Sequence, residues 1–371
     1  LILFVFIAVY PRIMLSQMIH KLEQSAKKLE EMSNAANVLV ARKSKDTSKE
    51  NKAKIKEFTD FFVVEPSSLD PYGIVQKLDQ TIRQMEKRFD EASDEIAGDL
   101  NDLEKRQINY GLRAALTLRQ IAKIVRHNVE LAKKFKNLQI AMIIQMQMPI
   151  IEKIAESELK GTEAFINGWP VGDSIGPLAA ASLMDRSKPI SEDIVVGTTT
   201  IEGRYCFVLK ATGPKPSLGR IDDAVQKILK NNKIARVVTI DAMGKFEGEK
   251  SGSVAEGVGF AMGGIAQRDL LENTLIPTKK PIDSIGIKVG LTEAILPMRK
   301  DIYDALPKVQ IAIKRAVRRA KKGQKIIIIG VGNSCGIGDN KKAIAKVGDV
   351  VKTLEKKRKD AEKKQKKGSW I

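Results

Sequence analysis

Apolar positions divide this chain into two textures. Residues 1–10 form an unbroken apolar run closed by Pro11-Arg12. Over residues 13–32 the apolar positions recur at helical spacing with Lys and Glu between them, which predicts a helix continuing out of that run. A Lys/Ser/Asp-rich tract over residues 41–56 breaks the pattern and reads as flexible. Residues 58–64 are a short aromatic and β-branched run, ended by a Pro- and Ser-rich turn at 65–71. Helical periodicity returns near 73–92, 94–125 and 128–155, with Pro149 set to kink or divide the last stretch. The Met-rich segment 138–149 reads as bundle core.

Beyond Gly161 the chain changes to short β-rich runs separated by glycines and helices. Strands are predicted at 205–211, 236–240, 253–260, 285–289 and 325–329, and helices at 177–184, 220–229, 291–306 and 309–321. Strands alternating with helices predict an α/β fold, a three-layer α/β/α arrangement around a mainly parallel sheet. With 371 residues the chain is long enough for more than one unit. The expected organisation is a membrane anchor at 1–15, a helical stalk or bundle at 16–160, an α/β domain at 161–350 and a basic tail at 351–371.

Ten to fifteen apolar residues fall short of the roughly 20 that span a bilayer. The opening run therefore reads as the end of a transmembrane helix that starts outside this sequence, because no small-residue cleavage site follows it. Lys and Arg on its C-terminal side place the bulk of a single-pass cell-membrane protein in the cytoplasm.

The formal net charge is +19. That excess suits an anionic membrane surface or nucleic acid, but it is concentrated in two tracts, 41–56 and 352–367, which have few rings to stack on bases. The C-terminal tract reads first as a solvated helix end or tail. Cys206 and Cys335 are the only cysteines and form no CxxC, so neither a metal knuckle nor a disulfide framework is expected. His127 has no acid or cysteine arranged beside it and reads as a surface histidine.

Two carboxylates stand out. Asp173 lies in Asn167-Gly-Trp-Pro-Val-Gly-Asp-Ser-Ile-Gly-Pro177 and Asp241 in Val237-Val-Thr-Ile-Asp-Ala-Met-Gly244. Each sits where a strand hands over to a loop, the place where open α/β sheets build their sites. Taken alone, Asp173 also fits the cap of the following helix.

These segments resemble spore germination proteases. The first is similar to their Gly-Asn-Trp and Asp-Ala-Leu-Gly-Pro segment, and the second to their Ile-Ala-Ile-Asp-Ala-Leu strand. Ser251-Gly-Ser-Val-Ala-Glu-Gly-Val-Gly259 resembles their Gly-rich hairpin, and Ile285-Gly-Ile-Lys-Val-Gly-Leu-Thr-Glu293 their later strand. The resemblance implies the peptidase architecture shared with hydrogenase maturation endopeptidases, with Asp173 and Asp241 as a catalytic pair and a peptide or protein as substrate. The whole chain also resembles an archaeal family of membrane-anchored proteins of unknown function, which brings no activity with it.

Two close carboxylates cannot both ionise comfortably, so one keeps a proton while the other activates water. Ser174, Gly176, Glu256, Asn333 and Asp339 are the expected substrate contacts, with Glu256 also a candidate third acid. No histidine follows His127, so the nickel site of the hydrogenase-type relatives is not expected, and no cofactor is. Lys325-Ile-Ile-Ile-Ile-Gly-Val-Gly-Asn-Ser-Cys-Gly-Ile-Gly-Asp-Asn340 looks like the fold's missing first strand and its Gly-rich loop, displaced to the C-terminus as in a circular permutation. It would bring Asp339 near the pair and make Cys335 a candidate nucleophile, though Cys335 reads first as a small residue tolerated in a glycine loop, with no histidine in evidence to activate it. A scaffold that recruits RNA, a ribosome or a partner protein is the rival reading, and a nucleotide or small-molecule sensor a third. The Gly-rich loop lacks a complete phosphate-binding motif.

Overall fold

A computed structural model describes residues 2–61, 74–260 and 265–368. The Pro- and Ser-rich turn at 65–71 lies outside these residues. Contacts divide the chain into two compact units, Leu1–Phe62 with Phe89–Ile166, and Val63–Arg88 with Asn167–Ile371. The break falls a few residues after the expected boundary at 160/161.

Helices α1 (Ile2–Lys43), α2 (Lys49–Phe58), α4 (Asp102–Phe135) and most of α5 (Leu138–Asn167) build the first unit, with the last part of α3 (Ile74–Ala97). Leu22, Ala26, Leu29, Ala36 and Val40 are fully or almost fully buried on α1, a heptad-like stripe. It packs against α4, which buries Leu112, Ala115, Leu118, Ala122 and Val129. Arg126 of α4 holds Glu23 and Glu30 of α1, while Lys45, just past α1, reaches Glu104 at 3.4 Å. That order makes the two helices antiparallel. Asn101 opens α4 with a capping box, accepting the Glu104 amide at 3.0 Å.

The tract at 41–56, flexible in appearance, is the end of α1 and most of α2 joined by a short ordered turn at 44–48. Ser48 caps α2 by accepting the Asn51 amide at 3.1 Å, and the buried Asn51 side chain donates to Ser44 Oγ and to Asp46 O, each at 2.8 Å. The Met-rich segment also departs from expectation. Ala141, Ile144 and Met148 face the core, but Met142, Ile143, Met146 and Ile150 lie on the exposed side, Met146 at 73%. Pro149 sits inside α5. Among the described residues no helix is long and apolar enough to cross a membrane.

The second unit is built on a seven-stranded sheet. In chain order its elements are α6 (Ile175–Ala181), β1 (Ser187–Ser191), β2 (Ile194–Ile201), β3 (Arg204–Ala211), α7 (Ile221–Asn231), β4 (Ile234–Gly244), β5 (Val254–Val258), α8 (Ile265–Leu275), β6 (Ile282–Val289), α9 (Lys300–Tyr303), α10 (Leu306–Arg318), β7 (Lys325–Gly330) and α11 (Val347–Gly368). The spatial order is β1-β2-β3-β7-β4-β6-β5. β3, β7, β4 and β6 are parallel, whereas β1-β2, β2-β3 and β6-β5 are antiparallel. The sheet is thus mixed, where a mainly parallel one was expected, because hairpins add strands at both edges.

Helices cover both faces. One face buries Val208, Val238, Ile240, Ile326 and Ile328 beneath α6 and α10; the other buries Leu209, Val237, Ile327 and Ile329 beneath α7 and α8. β7 occupies the central position, so its run of isoleucines is buried on both sides. Residues 291–306, expected to be a helix, are mainly turns followed by the single turn of α9. Residues 352–367 are helical, as the C-terminal part of α11.

Candidate functional site at the carboxyl edge of the sheet

One register row crosses the sheet through Lys210 on β3, Gly330 on β7, Ile240 on β4, Ile285 on β6 and Glu256 on β5. Asp241 lies one residue beyond this row, 3% exposed and opposite Gly286 of β6. Strand alternation puts it on the face of Val237, away from α6. β7 ends beside it, and the Val331 amide closes the edge by donating to Ile240 O at 2.8 Å.

Asp173 reaches the same edge from a 3₁₀ turn at Gly172–Ser174 that packs against β4. Its Oδ2 accepts the backbone amide of Asn333 at 2.7 Å, three residues past the end of β7. Gly332 makes this approach possible: it adopts φ 122°, and a Cβ there would lie 2.1 Å from Asp173 O. Gly176 serves the same end one helical turn later, since a Cβ would meet Val331 O at 2.1 Å and Ile240 O at 2.5 Å. Both glycines let the Asp173 turn and α6 rest directly on strand-end backbone.

The segment expected to be helical explains how the turn is held. Ala294 O accepts the Asp173 amide at 2.8 Å, Leu296 O the Gly172 amide at 3.0 Å, and Pro170 O the Met298 amide at 2.7 Å. The Ala294 and Leu296 carbonyls are available because residues 294–297 do not close helical hydrogen bonds of their own. Glu293 braces the same loop. It accepts from Ser251 Oγ at 2.6 Å and the Gly290 amide at 2.8 Å, and pairs with Arg299 at 2.8 Å. Burial would raise this carboxyl, but those hydrogen bonds and the guanidinium hold it below its ordinary value. Sequence reading gave Glu293 no role, and its place beside Gly172, whose Cβ would lie 2.1 Å from Glu293 O, depends on long-range loop packing.

Burial pushes the Asp173 carboxyl above its ordinary value, against the opposing Asn333 amide. The residue still keeps partial contact with solvent. Oδ2 is engaged, whereas no hydrogen bond is made to Oδ1 among the described residues. Burial favours the protonated form of this carboxyl, which suits it to giving or taking a proton.

The other expected site residues separate into two groups. Ser174 and Asn333 lie beside Asp173 as braces: Ser174 Oγ, fully buried, accepts the Val171 amide at 3.2 Å and donates to Cys335 O at 3.3 Å, and Asn333 Oδ1 accepts the Cys335 amide at 2.9 Å. Their side chains hold the loop and are turned to the protein, not to a substrate.

Glu256, Asp339 and Cys335 do not join the pair. Glu256 stands two strands from β4, on the face opposite Asp241, and is held by Arg315 at 2.6 Å and Arg319 at 3.3 Å of α10. Asp339 closes the end of β3, where it pairs with the buried Lys210 at 2.5 Å. Cys335 is fully buried, and burial alone keeps its thiol protonated, which removes it as a nucleophile. His127 is exposed on α4. Among the described residues no group of three His, Cys, Asp or Glu side chains could hold a metal ion.

No curated protein and no solved structure matches the chain. Two profiles of one family do match: the one described as a protein of unknown function (DUF1512), N-terminal domain, over residues 1–168, and the one described as a domain of unknown function (DUF1512), C-terminal, over residues 171–338. Their junction falls at the break between the two compact units, and together they span most of the sequence. The chain therefore belongs to the DUF1512 family.

Proposed function

We propose that this protein hydrolyses peptide bonds at the carboxyl edge of its sheet, with Asp173 and Asp241 as its acid and base. The observation that carries this reading is the half-satisfied Asp173 carboxyl, with Oδ2 fixed by Asn333 and Oδ1 left open, beside the strand that holds buried Asp241. The protonated member would donate to the carbonyl oxygen or the leaving amine, while the ionised one takes a proton from the attacking water. The resemblance of the two Asp segments to germination proteases supports the same chemistry. In this reading the apolar start of α1 tethers the protein to a membrane, with its bulk on the cytoplasmic side, and a disordered tail or an assembly precursor is the substrate class.

Incubating the full chain with a mixture of unstructured peptides and reading new termini by mass spectrometry tests it. Asp173→Asn and Asp241→Asn should each lower cleavage by roughly 10²–10⁴-fold while keeping the circular dichroism of the parent. Unchanged cleavage by both variants refutes the assignment.

A further inference from the structure

Away from the carboxyl edge, the sheet face covered by α7 is left open along the outer strands. There an open groove of about 470 Å³ runs between β1, β2, β3 and α7. Tyr205 and Phe207 point into it from alternate positions of β3, their rings 5.1 Å apart and 77° to each other. Tyr205 is 41% exposed, although a tyrosine in a strand next to a central one is ordinarily covered.

Cations surround the rings. Arg186 and Lys188 come from the start of β1, and Lys227 comes from α7, its Nζ fixed on Ile190 O at 2.8 Å. No acidic side chain lines the groove, and among the described residues no carboxylate pairs with Arg186, Lys188 or Lys227. Exposed Thr198 adds a hydroxyl on the strand beside Phe207.

From this arrangement we infer that the groove binds single-stranded RNA, with a base stacked on Tyr205 beside Phe207 and phosphates against Arg186, Lys188 and Lys227. With the rings 5.1 Å apart and edge to face, exposed Tyr205 offers a stacking surface to one unstacked base, and Phe207 forms the apolar wall beside it. Duplexes keep their bases stacked and cannot use such a platform. Unpaired cations without acids between them match a phosphate backbone, and the Thr198 hydroxyl is a partner for a ribose 2′-hydroxyl. The basic stretch of α11 has no comparable rings, so base stacking separates the two surfaces.

Fluorescence anisotropy of a labelled single-stranded RNA of roughly ten nucleotides, titrated with the full chain at several salt concentrations, tests the inference. Tyr205→Ala should weaken binding roughly fivefold to a hundredfold, and Tyr205→Phe should restore it. Lys188→Gln should weaken binding and reduce the slope of log affinity against log salt by about one. Tyr205 and Lys188 are exposed, so both variants should melt like the parent, and Asp173→Asn should bind RNA unchanged. Unaltered affinity in Tyr205→Ala and Lys188→Gln overturns the inference and points to the C-terminal lysines. Equal affinity for DNA of the same length, or displacement of the RNA by an acidic peptide at equal concentration, overturns it too.

Discussion

The ammonium of Lys210, fully buried at the end of β3, lies 2.5 Å from Oδ1 of Asp339, which also accepts the Gly213 amide at 2.8 Å. Lys210 further donates to Ala211 O at 2.7 Å. An acid expected at the aspartate pair instead neutralises a lysine one strand away from the end of β7.

Asp339→Asn should be the more damaging of the two changes that break this pair. It leaves a buried charge uncompensated, at a cost of about 3–5 kcal/mol, whereas Lys210→Met leaves only a partly exposed carboxylate. Burial pushes Lys210 below the ordinary lysine value, with Asp339 pulling the other way. The folded state therefore releases its proton before the unfolded chain does, and stability rises with pH in the alkaline range. Denaturant midpoints of the two variants should rank in that order, and the Asp339→Asn deficit should shrink as pH rises.

Glu158 on α5 predicts a pH response in the first unit. Burial pushes its carboxyl from 4.5 up to about 7. Between these values the folded state holds a proton that the unfolded chain has lost, so stability falls as pH rises through the window and stays low above it. Because Glu158 keeps some solvent contact, the difference is on the order of 2 kcal/mol. Hydrogen exchange at the α5 amides should slow from pH 8 to pH 5 once the intrinsic rate is divided out. Glu158→Gln should show the slow rate at both, and a parent that shows no change would contradict the assignment.

Gly176→Ala tests how tightly α6 is seated on the edge. The added methyl would meet two backbone carbonyls, those of Val331 and Ile240, neither the far end of a flexible side chain. Displacing α6 should cost about 3 kcal/mol or more, visible as a lower melting temperature. The Asp173 turn precedes α6 directly, so cleavage by the surviving folded fraction should fall as well. A melting temperature equal to that of the parent would show that the helix can shift freely.

Much of the sheet was legible because its inner strands are largely buried and read as apolar runs, rich in Val and Ile in β4 and β7. β1 was missed because an edge strand written Ser-Lys-Pro-Ile-Ser carries no apolar run. β2 was missed in the same region, its outer half being three threonines of mixed exposure. Residues 291–306 have helical periodicity, but Pro297 and the carbonyls required by the Asp173 turn win over local preference. The Met-rich stripe of α5 shows the converse limit, since composition does not tell which apolar face finds a partner. Neither Asp173 nor Asp241 sits where a strand hands over to a loop, as glycine spacing and β-branched runs suggested: Asp173 lies in a 3₁₀ turn between α5 and α6, and Asp241 lies inside β4, three residues before its end. The destination of Asp339 could not be read either, because nothing in Arg204–Ala211 marks Lys210 as the buried cation that claims it.

The strand that completes the sheet is made after the six others. β3 and β4 share no ladder and meet only across β7, so the nascent second unit carries two aliphatic edges that stay unsatisfied until β7 emerges. Such a unit assembles through distant pairings, which makes it a slow folder and a natural client for chaperones. Loss of the C-terminal third of the unit would divide the sheet down its middle instead of trimming an end.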